Sequence, residues 1–256
     1  MRDNCPACGS STGLGEVICF KCGYRNSYNI SGIFSEEVTN RTKQVLRVRS
    51  DIVLAPAKFS YKALEWLYKS CIYDEIISKQ GIGYCTGIDK VFIPSFNGGQ
   101  QLMFYQLRSL VDDDKNKYIT YGSTASYTVK YVDHPESKTL LFCEDHLSAI
   151  RLRRFYNVVC LSGTSIKYSV IKGLLSEFDV FIFWLDPDQP GREALYKNLG
   201  RLKWNSGSSN VERMFLDKPI IEHKFYKVDY KKVLKDPKFY LDHEIQNIIN
   251  TQAISI

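Results

Sequence analysis

Two sets of residues in this 256-residue chain are spaced as chemistry would require. The first is acidic. Glu144 closes the apolar run Thr139–Glu144, and Asp186 and Asp188 close another in Trp184-Leu-Asp-Pro-Asp-Gln-Pro-Gly191. Carboxylates gathered at the ends of neighbouring strands can hold Mg²⁺, the ion with which proteins handle phosphates. Asp186 and Asp188 stand two apart, so their carboxylates converge if the chain bends at Pro187. A lone D-x-D arises often in surface loops. One that closes a buried strand, with Pro190-Gly191 opening a helix behind it, is a stronger signal.

The second set is Cys5-Pro-Ala-Cys8-Gly9 and Cys19-Phe-Lys-Cys22-Gly23, a C-x₂-C-x₁₀-C-x₂-C pattern. Each pair presents two thiolates to one tetrahedral Zn²⁺, and two such knuckles make a zinc ribbon. Four protein thiolates leave no open position, so the metal is structural, and the segment depends on it to fold. A redox C-x-x-C is disfavoured by the presence of two pairs with no thioredoxin pattern around either. Arg2, Lys21 and Arg25, with Phe20 and Tyr24, suit a single strand of nucleic acid, although the aromatics could equally pad a ribbon with little core. Cys71, Cys85, Cys143 and Cys160 are scattered in apolar surroundings and read as small core residues.

The elements that must position these groups follow from the hydrophobic pattern. Residues 1–29 have too little apolar content for a core of their own. Residues 30–57 are polar and basic, with Arg41, Lys43, Arg47 and Arg49, and read as a linker ending at Pro56. A helical pattern begins at Lys58 and runs through Ala63, Leu64, Leu67, Tyr68, Ile72 and Ile76-Ile77 until Gly81 and Gly83 break it. Val91–Phe96 and Gln101–Leu107 read as strands joined by an Asn97-Gly98 turn, and Lys117–Tyr121 as a further strand. From Lys138 the period changes. Strands at Thr139–Glu144, Val158–Ser162 and Val180–Asp186 alternate with helices near 145–156, 165–178 and 191–202. Such alternation makes a parallel sheet, whose function sits at the carboxyl ends of its strands. Asn205–Asn210 reads as a flexible loop, Tyr226–Tyr230 as a strand and Asp236–Ile249 as a last helix.

Composition sets the outer limits. A hydrophobic share of 44% is ample for a packed core, and a net charge of +6 suits a polyanionic partner without requiring one. No apolar run reaches the roughly 18 residues of a membrane span. The amino terminus is polar and cysteine-rich rather than signal-like, so the expected compartment is the cytoplasm.

Glu144 followed by Asp186-Pro-Asp188-Gln-Pro-Gly191-Arg-Glu-Ala194 resembles the Toprim module of primases and topoisomerases. Lys235-Asp236-Pro237 is similar to the turn that follows in DnaG-type and bacteriophage primases. Gly81–Tyr84, Val91–Pro94, Tyr105–Arg108 and Lys117-Tyr118 resemble the subdomain that precedes Toprim in those enzymes. The resemblance implies an α/β chain of four parts: a Cys₄ zinc ribbon (1–29), a basic linker (30–57), the amino-terminal α+β subdomain of a primase polymerase domain (58–137) and a Toprim catalytic sheet (138–256). It implies synthesis of short RNA primers on a single-stranded DNA template from ribonucleoside triphosphates, by nucleotidyl transfer with two metal ions, in a bacterial or phage-infected host cytoplasm. Glu144, Asp186 and Asp188 would bind Mg²⁺ or Mn²⁺, with Asp236 at the edge of that site. Arg108, Lys115 and Lys117 would contact triphosphate or template, and Cys5, Cys8, Cys19 and Cys22 would hold zinc. No G-x-x-x-x-G-K-[S/T] occurs in this chain, so a replicative helicase would be a separate protein if this is a stand-alone primase; a fragment of a longer primase is the other reading, and the sequence does not separate them.

The chain departs from the family at two positions. Where Gly usually follows the first glutamate and Asp stands four residues after it, this chain has Asp145 and Ser148. Either one metal ligand is missing or Asp145 replaces it from a shifted position. His146 beside them could be a general base or a bystander, and Arg151, Arg153 and Arg154 could track a phosphate backbone or form a solvated basic face. A non-catalytic recombination mediator with a Toprim fold and a Cys₄ site is the alternative. It would not need Arg108, Lys115 and Lys117 ahead of the Toprim sheet. A topoisomerase would need a strand-passage gate and a tyrosine domain that this length cannot hold.

Overall fold

The computed structural model describes residues 46, 48–96, 102–111, 114–122, 129–166, 168–215 and 221–256. The four amino-terminal cysteines, most of the stretch read as a linker and the Asn97-Gly98 turn lie outside them.

The first half is an antiparallel sheet with two helices on one face. Its strands are β1 (Ile52–Val53), β2 (Gly83–Cys85), β3 (Lys90–Phe96), β4 (Leu102–Ser109) and β5 (Tyr118–Gly122), hydrogen-bonded in that order. The pattern predicted as one helical run from Lys58 is split into α1 (Tyr61–Lys69) and α2 (Asp74–Gln80). The Ser60 side chain caps α1 by accepting from the Ala63 amide at 3.2 Å. Cys71, at a left-handed φ of 53°, breaks the run and lets Ile72 turn inward to full burial. Gly81 ends α2 at φ 63°, a conformation that costs glycine little. Leu67, Ile72 and Ile77 then pack with Val91 and Ile93 beneath the helices. Ile52 and Val53 pair with Cys85 and Tyr84, so the end of the expected linker is part of this sheet.

The second half is a six-stranded sheet. It comprises β6 (Val129–Tyr131), β7 (Thr139–Cys143), β8 (Asn157–Cys160), β9 (Val180–Phe183), β10 (Lys224–Val228) and β11 (Ala253–Ser255), in the spatial order β11-β10-β9-β7-β8-β6. The four central strands are parallel and the two edges antiparallel. Because β6 pairs with β8, residues 129–131 belong to this sheet and not to the half that was expected to end at residue 137. Helices α4 (Tyr168–Glu177) and α5 (Gln189–Phe215) cover one face, over Phe142, Phe181 and Phe183. Helices α3 (His146–Leu152) and α6 (Asp242–Gln252) accompany the core of the other, around Trp184, Val228 and Ile245. Leu147 and Ile150 of α3 also pack into the core beneath α1 and α2, which joins the two halves. Cys71, Cys85, Cys143 and Cys160 are buried and free, as read from sequence.

The expected loop at 205–210 is helical. Ala194, Leu195, Asn198, Leu199, Leu202 and Asn205 are buried at three- and four-residue spacing, so the inward stripe of α5 continues into the polar segment. Asn205 Nδ2 donates to the Arg201 carbonyl at 2.7 Å, and the Ser206 hydroxyl bonds His223 Nδ1 at 2.8 Å. These contacts outweigh the weak helix propensity of Asn, Ser and Gly.

Candidate active site

Strand order places the acidic residues. From β7 the chain moves to β8 on one side, then returns to β9 on the other. The gap beyond the carboxyl ends of β7 and β9 is therefore a topological switch point, the crevice where open α/β sheets bind ligands. Glu144 follows β7 and Asp186 follows β9. Their separation of 42 residues in sequence closes to a hydrogen bond: the Asp186 amide donates to Glu144 Oε1 at 3.2 Å. Asp188 caps α5, its Oδ1 accepting from the Gly191 amide at 2.8 Å. The fourth expected acidic residue, Asp236, is carried in from a later loop. Trp184 Nε1 donates to the Lys235 carbonyl at 3.3 Å and the Tyr230 hydroxyl accepts from the Leu185 amide at 3.1 Å, tying this loop to the end of β9. Carboxylate oxygens of Asp145, Asp186 and Asp236 lie within 4.8 Å of one another.

Such crowding raises proton affinity. Burial pushes the Glu144 carboxyl up to about 7, with Asp188, Asp236 and Asp145 adding repulsion against the hydrogen bond from the Asp186 amide. Burial, then Asp236, Glu144 and Asp145, push Asp186 up to about 8. Asp145 goes the other way. Burial alone would raise it, but Lys238 and Ser148 hold it below the ordinary value. The donor set of Glu144, Asp186 and Asp188 is all hard oxygen and short of positive charge, which suits Mg²⁺ or Mn²⁺. Gly191 fits the same purpose. A Cβ there would lie 2.9 Å from Glu144 Oε1 and collide with the Asp186 carbonyl, so only glycine lets α5 start this close to the carboxylates.

A sign follows for pH. Unfolded, both carboxyls titrate near ~4. Folded, they hold their protons until about 7 and 8. Between those limits the native state binds more protons than the unfolded one, so these two groups weaken the fold as pH rises. A divalent ion relieves that cost where the carboxyls are ionised. The rise in melting temperature on adding Mg²⁺ is expected to be larger at pH 8 than at pH 5, and an equal rise at both would contradict this reading of the pair.

The structure brings Glu144, Asp186, Asp188 and Asp236 to one rim, and Arg108 lies in the antiparallel half. It is only 5% exposed, with its guanidinium against Trp66 and Tyr118 and bonded to the Ser109 carbonyl. It supports Tyr118, which stands within electrostatic reach of Asp145 and Lys238. Lys115 and Lys117 are exposed on the turn leading into Tyr118, a turn held by Lys90 on Asp114 at 2.7 Å. His146 is buried with both ring nitrogens engaged, by Ser162 at 2.9 Å and Tyr131 at 3.3 Å, so the bystander reading holds.

The three arginines of α3 and its end match neither expectation. Arg151 is buried and bonds Asp242 at 2.5 Å and the Tyr240 carbonyl at 2.9 Å. Arg154 also pairs with Asp242, and Arg153 with Asp133 across the Tyr131 ring. They are struts that fix α6 and the approach to β8. A cleft of about 810 Å³ opens beside them, at the end of α3 away from the carboxylates.

Sequence reasoning missed Lys238. Its buried ammonium donates to Asp236 Oδ2 at 2.6 Å and Asp145 Oδ2 at 2.9 Å, and those two anions raise its proton affinity far more than burial lowers it. The usable signal was its place two residues after Asp236, spaced like a second member of the acidic turn.

Comparison with solved structures now bears on this geometry. The Aquifex aeolicus primase, solved with its zinc-binding and RNA polymerase domains, superimposes with a TM-score of 0.57 at 16% identity, over 77% of this chain and 57% of that one. A DnaG catalytic core gives 0.55 at 16% identity, over 77% and 74%. The RNA polymerase domain of Mycobacterium tuberculosis DnaG, solved with double-stranded DNA, gives 0.54 at 12% identity, over 75% and 74%. The fold is that of the DnaG-type primase catalytic core. Its antiparallel half and its Toprim-like sheet are the two parts expected from the sequence. No protein-family model and no curated protein matches the chain by sequence.

Proposed function

We propose that this chain is a DNA primase that makes short RNA primers on single-stranded DNA. The observation that carries the reading is the meeting of Glu144 and Asp186 at the switch point of a primase-type sheet. Glu144, Asp186 and Asp188 would hold Mg²⁺ or Mn²⁺. When bound, such an ion activates a hydroxyl and neutralises charge on a triphosphate. Asp236 would close the edge of the site, and the exposed Lys115 and Lys117 would contact triphosphate or template. The 3′ hydroxyl oxygen of one nucleotide attacks the α-phosphorus of the next, the bond to the β-phosphate breaks, and pyrophosphate leaves.

Cys5, Cys8, Cys19 and Cys22 would hold a structural zinc, a reading supported by the zinc-binding domain of the Aquifex protein, and by the family resemblance the ribbon would help select the template. Stripping zinc is expected to impair template choice more than nucleotide binding, read by primer yield on mixed templates against nucleotide affinity. DNA as partner is supported by the Mycobacterium domain, solved with DNA. No helix among the described residues is long and apolar enough to cross a membrane. The mediator reading gains nothing from the structure, since β1 to β5 form the half-domain that primase cores share.

The test is incubation of purified protein with a library of single-stranded templates, the four ribonucleotides and Mg²⁺. Short template-complementary RNA is expected. Its absence from folded, zinc-loaded protein would overturn the proposal.

A further inference from the structure

Five carboxylates meet at this rim, and one lysine is already among them. Asp145, Asp186 and Asp236 are close enough to share an ion on distance alone. The bonding says otherwise for Asp145. Its Oδ1 accepts from the Leu147 amide at 2.9 Å and the Ser148 amide at 3.1 Å, capping α3. Its Oδ2 accepts from the Ser148 hydroxyl at 2.6 Å and from Lys238 Nζ at 2.9 Å. These four bonds fill the roughly four acceptor positions of a carboxylate. Asp236 Oδ2 is bonded to the same ammonium at 2.6 Å.

Lys238 is also held in place. It sits on a single 3₁₀ turn, Pro237–Phe239, with Pro237 and Lys238 buried. Before the turn, the Lys235 carbonyl is bonded by Trp184, and after it the Tyr240 carbonyl is bonded by buried Arg151. A divalent ion entering between Asp145 and Asp236 would have to expel this ammonium, strip the cap from α3, or stand beside a like charge. On the other side, among the described residues, no cationic side chain hydrogen-bonds Glu144 or Asp186.

We infer that the Lys238 ammonium is a built-in cation that fills the Asp145–Asp236 side of the cluster, so the site takes one divalent ion, between Glu144 and Asp186, and not two. The inference rests on the metal-dependent reading of the site. Ser148 and Lys238 then belong to one device: Ser148 orients Asp145, and Asp145 with Asp236 orients the ammonium. The charge at that position is fixed by the chain and does not vary with metal concentration.

The test is Mn²⁺ binding followed by loss of the free-ion electron paramagnetic resonance signal, using full-length protein with zinc supplied. Wild type is expected to bind one Mn²⁺ that Asp186→Asn abolishes. Lys238→Met, or Lys238→Gln if the first does not fold, is expected to bind two, the second at least tenfold tighter than any further ion on wild type. Two ions on wild type, or one on both wild type and the lysine variants, would overturn the inference while leaving the metal site standing. No Mn²⁺ on any protein would overturn the metal-dependent reading as well, which separates the two failures.

Discussion

Asp186→Asn is expected to lower primer synthesis by roughly 10³-fold, the scale of removing a preorganised electrostatic contact from a reacting centre, while raising the stability of the metal-free protein. The two effects share one cause. In the native state Asp186 must either stay charged beside Glu144, Asp236 and Asp145 or take up a proton that it would not hold when unfolded. Asparagine does neither and keeps the shape. A gain of about 1 kcal/mol is expected, a melting-temperature rise of roughly 2–4 °C for a chain of this size. Linkage gives the gain its direction: it is small near pH 4 and largest above the folded value of about 8. Activity lost together with stability would instead mark Asp186 as a structural residue.

Gly191→Ala is expected to abolish Mg²⁺-stimulated synthesis without touching a charged group. The added methyl group has no room between the Asp186 carbonyl and Glu144 Oε1. One neighbour is backbone, so α5 must move away from the end of β9, and both carboxylates lose their setting. Overpacking of this kind costs about 1–3 kcal/mol. Gly200→Ala, in the same helix but with open space at its Cβ, is the control. It is expected to be neutral or to stabilise by about 0.4–1 kcal/mol, with synthesis unchanged. Equal behaviour of the two variants in denaturation and primer assays would contradict the role given to Gly191.

What the sequence revealed, and what it hid, divide along physical lines. The alternation after Lys138 announced a parallel sheet because strands buried on both faces carry continuous apolar runs, as Leu140–Cys143 and Phe181–Leu185 do. Carboxylates at the ends of those runs were legible for the same reason. Short edge strands were not: β1, β6 and β11 have two or three residues each, too few to show a period. The 205–210 segment was misread because local propensity there opposes a helix that tertiary contacts sustain. The setting of Arg108 and of the arginines near α3 was not legible, because charge suggests the surface. Here each is held by a ring, a carbonyl or an aspartate that only the fold brings close. Lys238 was hidden for the same reason, since Asp145 is 93 residues away in sequence.

The most direct measurement is anomalous diffraction from crystals soaked in Mn²⁺. One peak is expected within about 2.5 Å of carboxylate oxygens of Glu144 and Asp186, with Lys238 still between Asp145 and Asp236. Ordered density for these side chains with no peak between Glu144 and Asp186 would contradict the assignment of this rim as a metal-dependent active site.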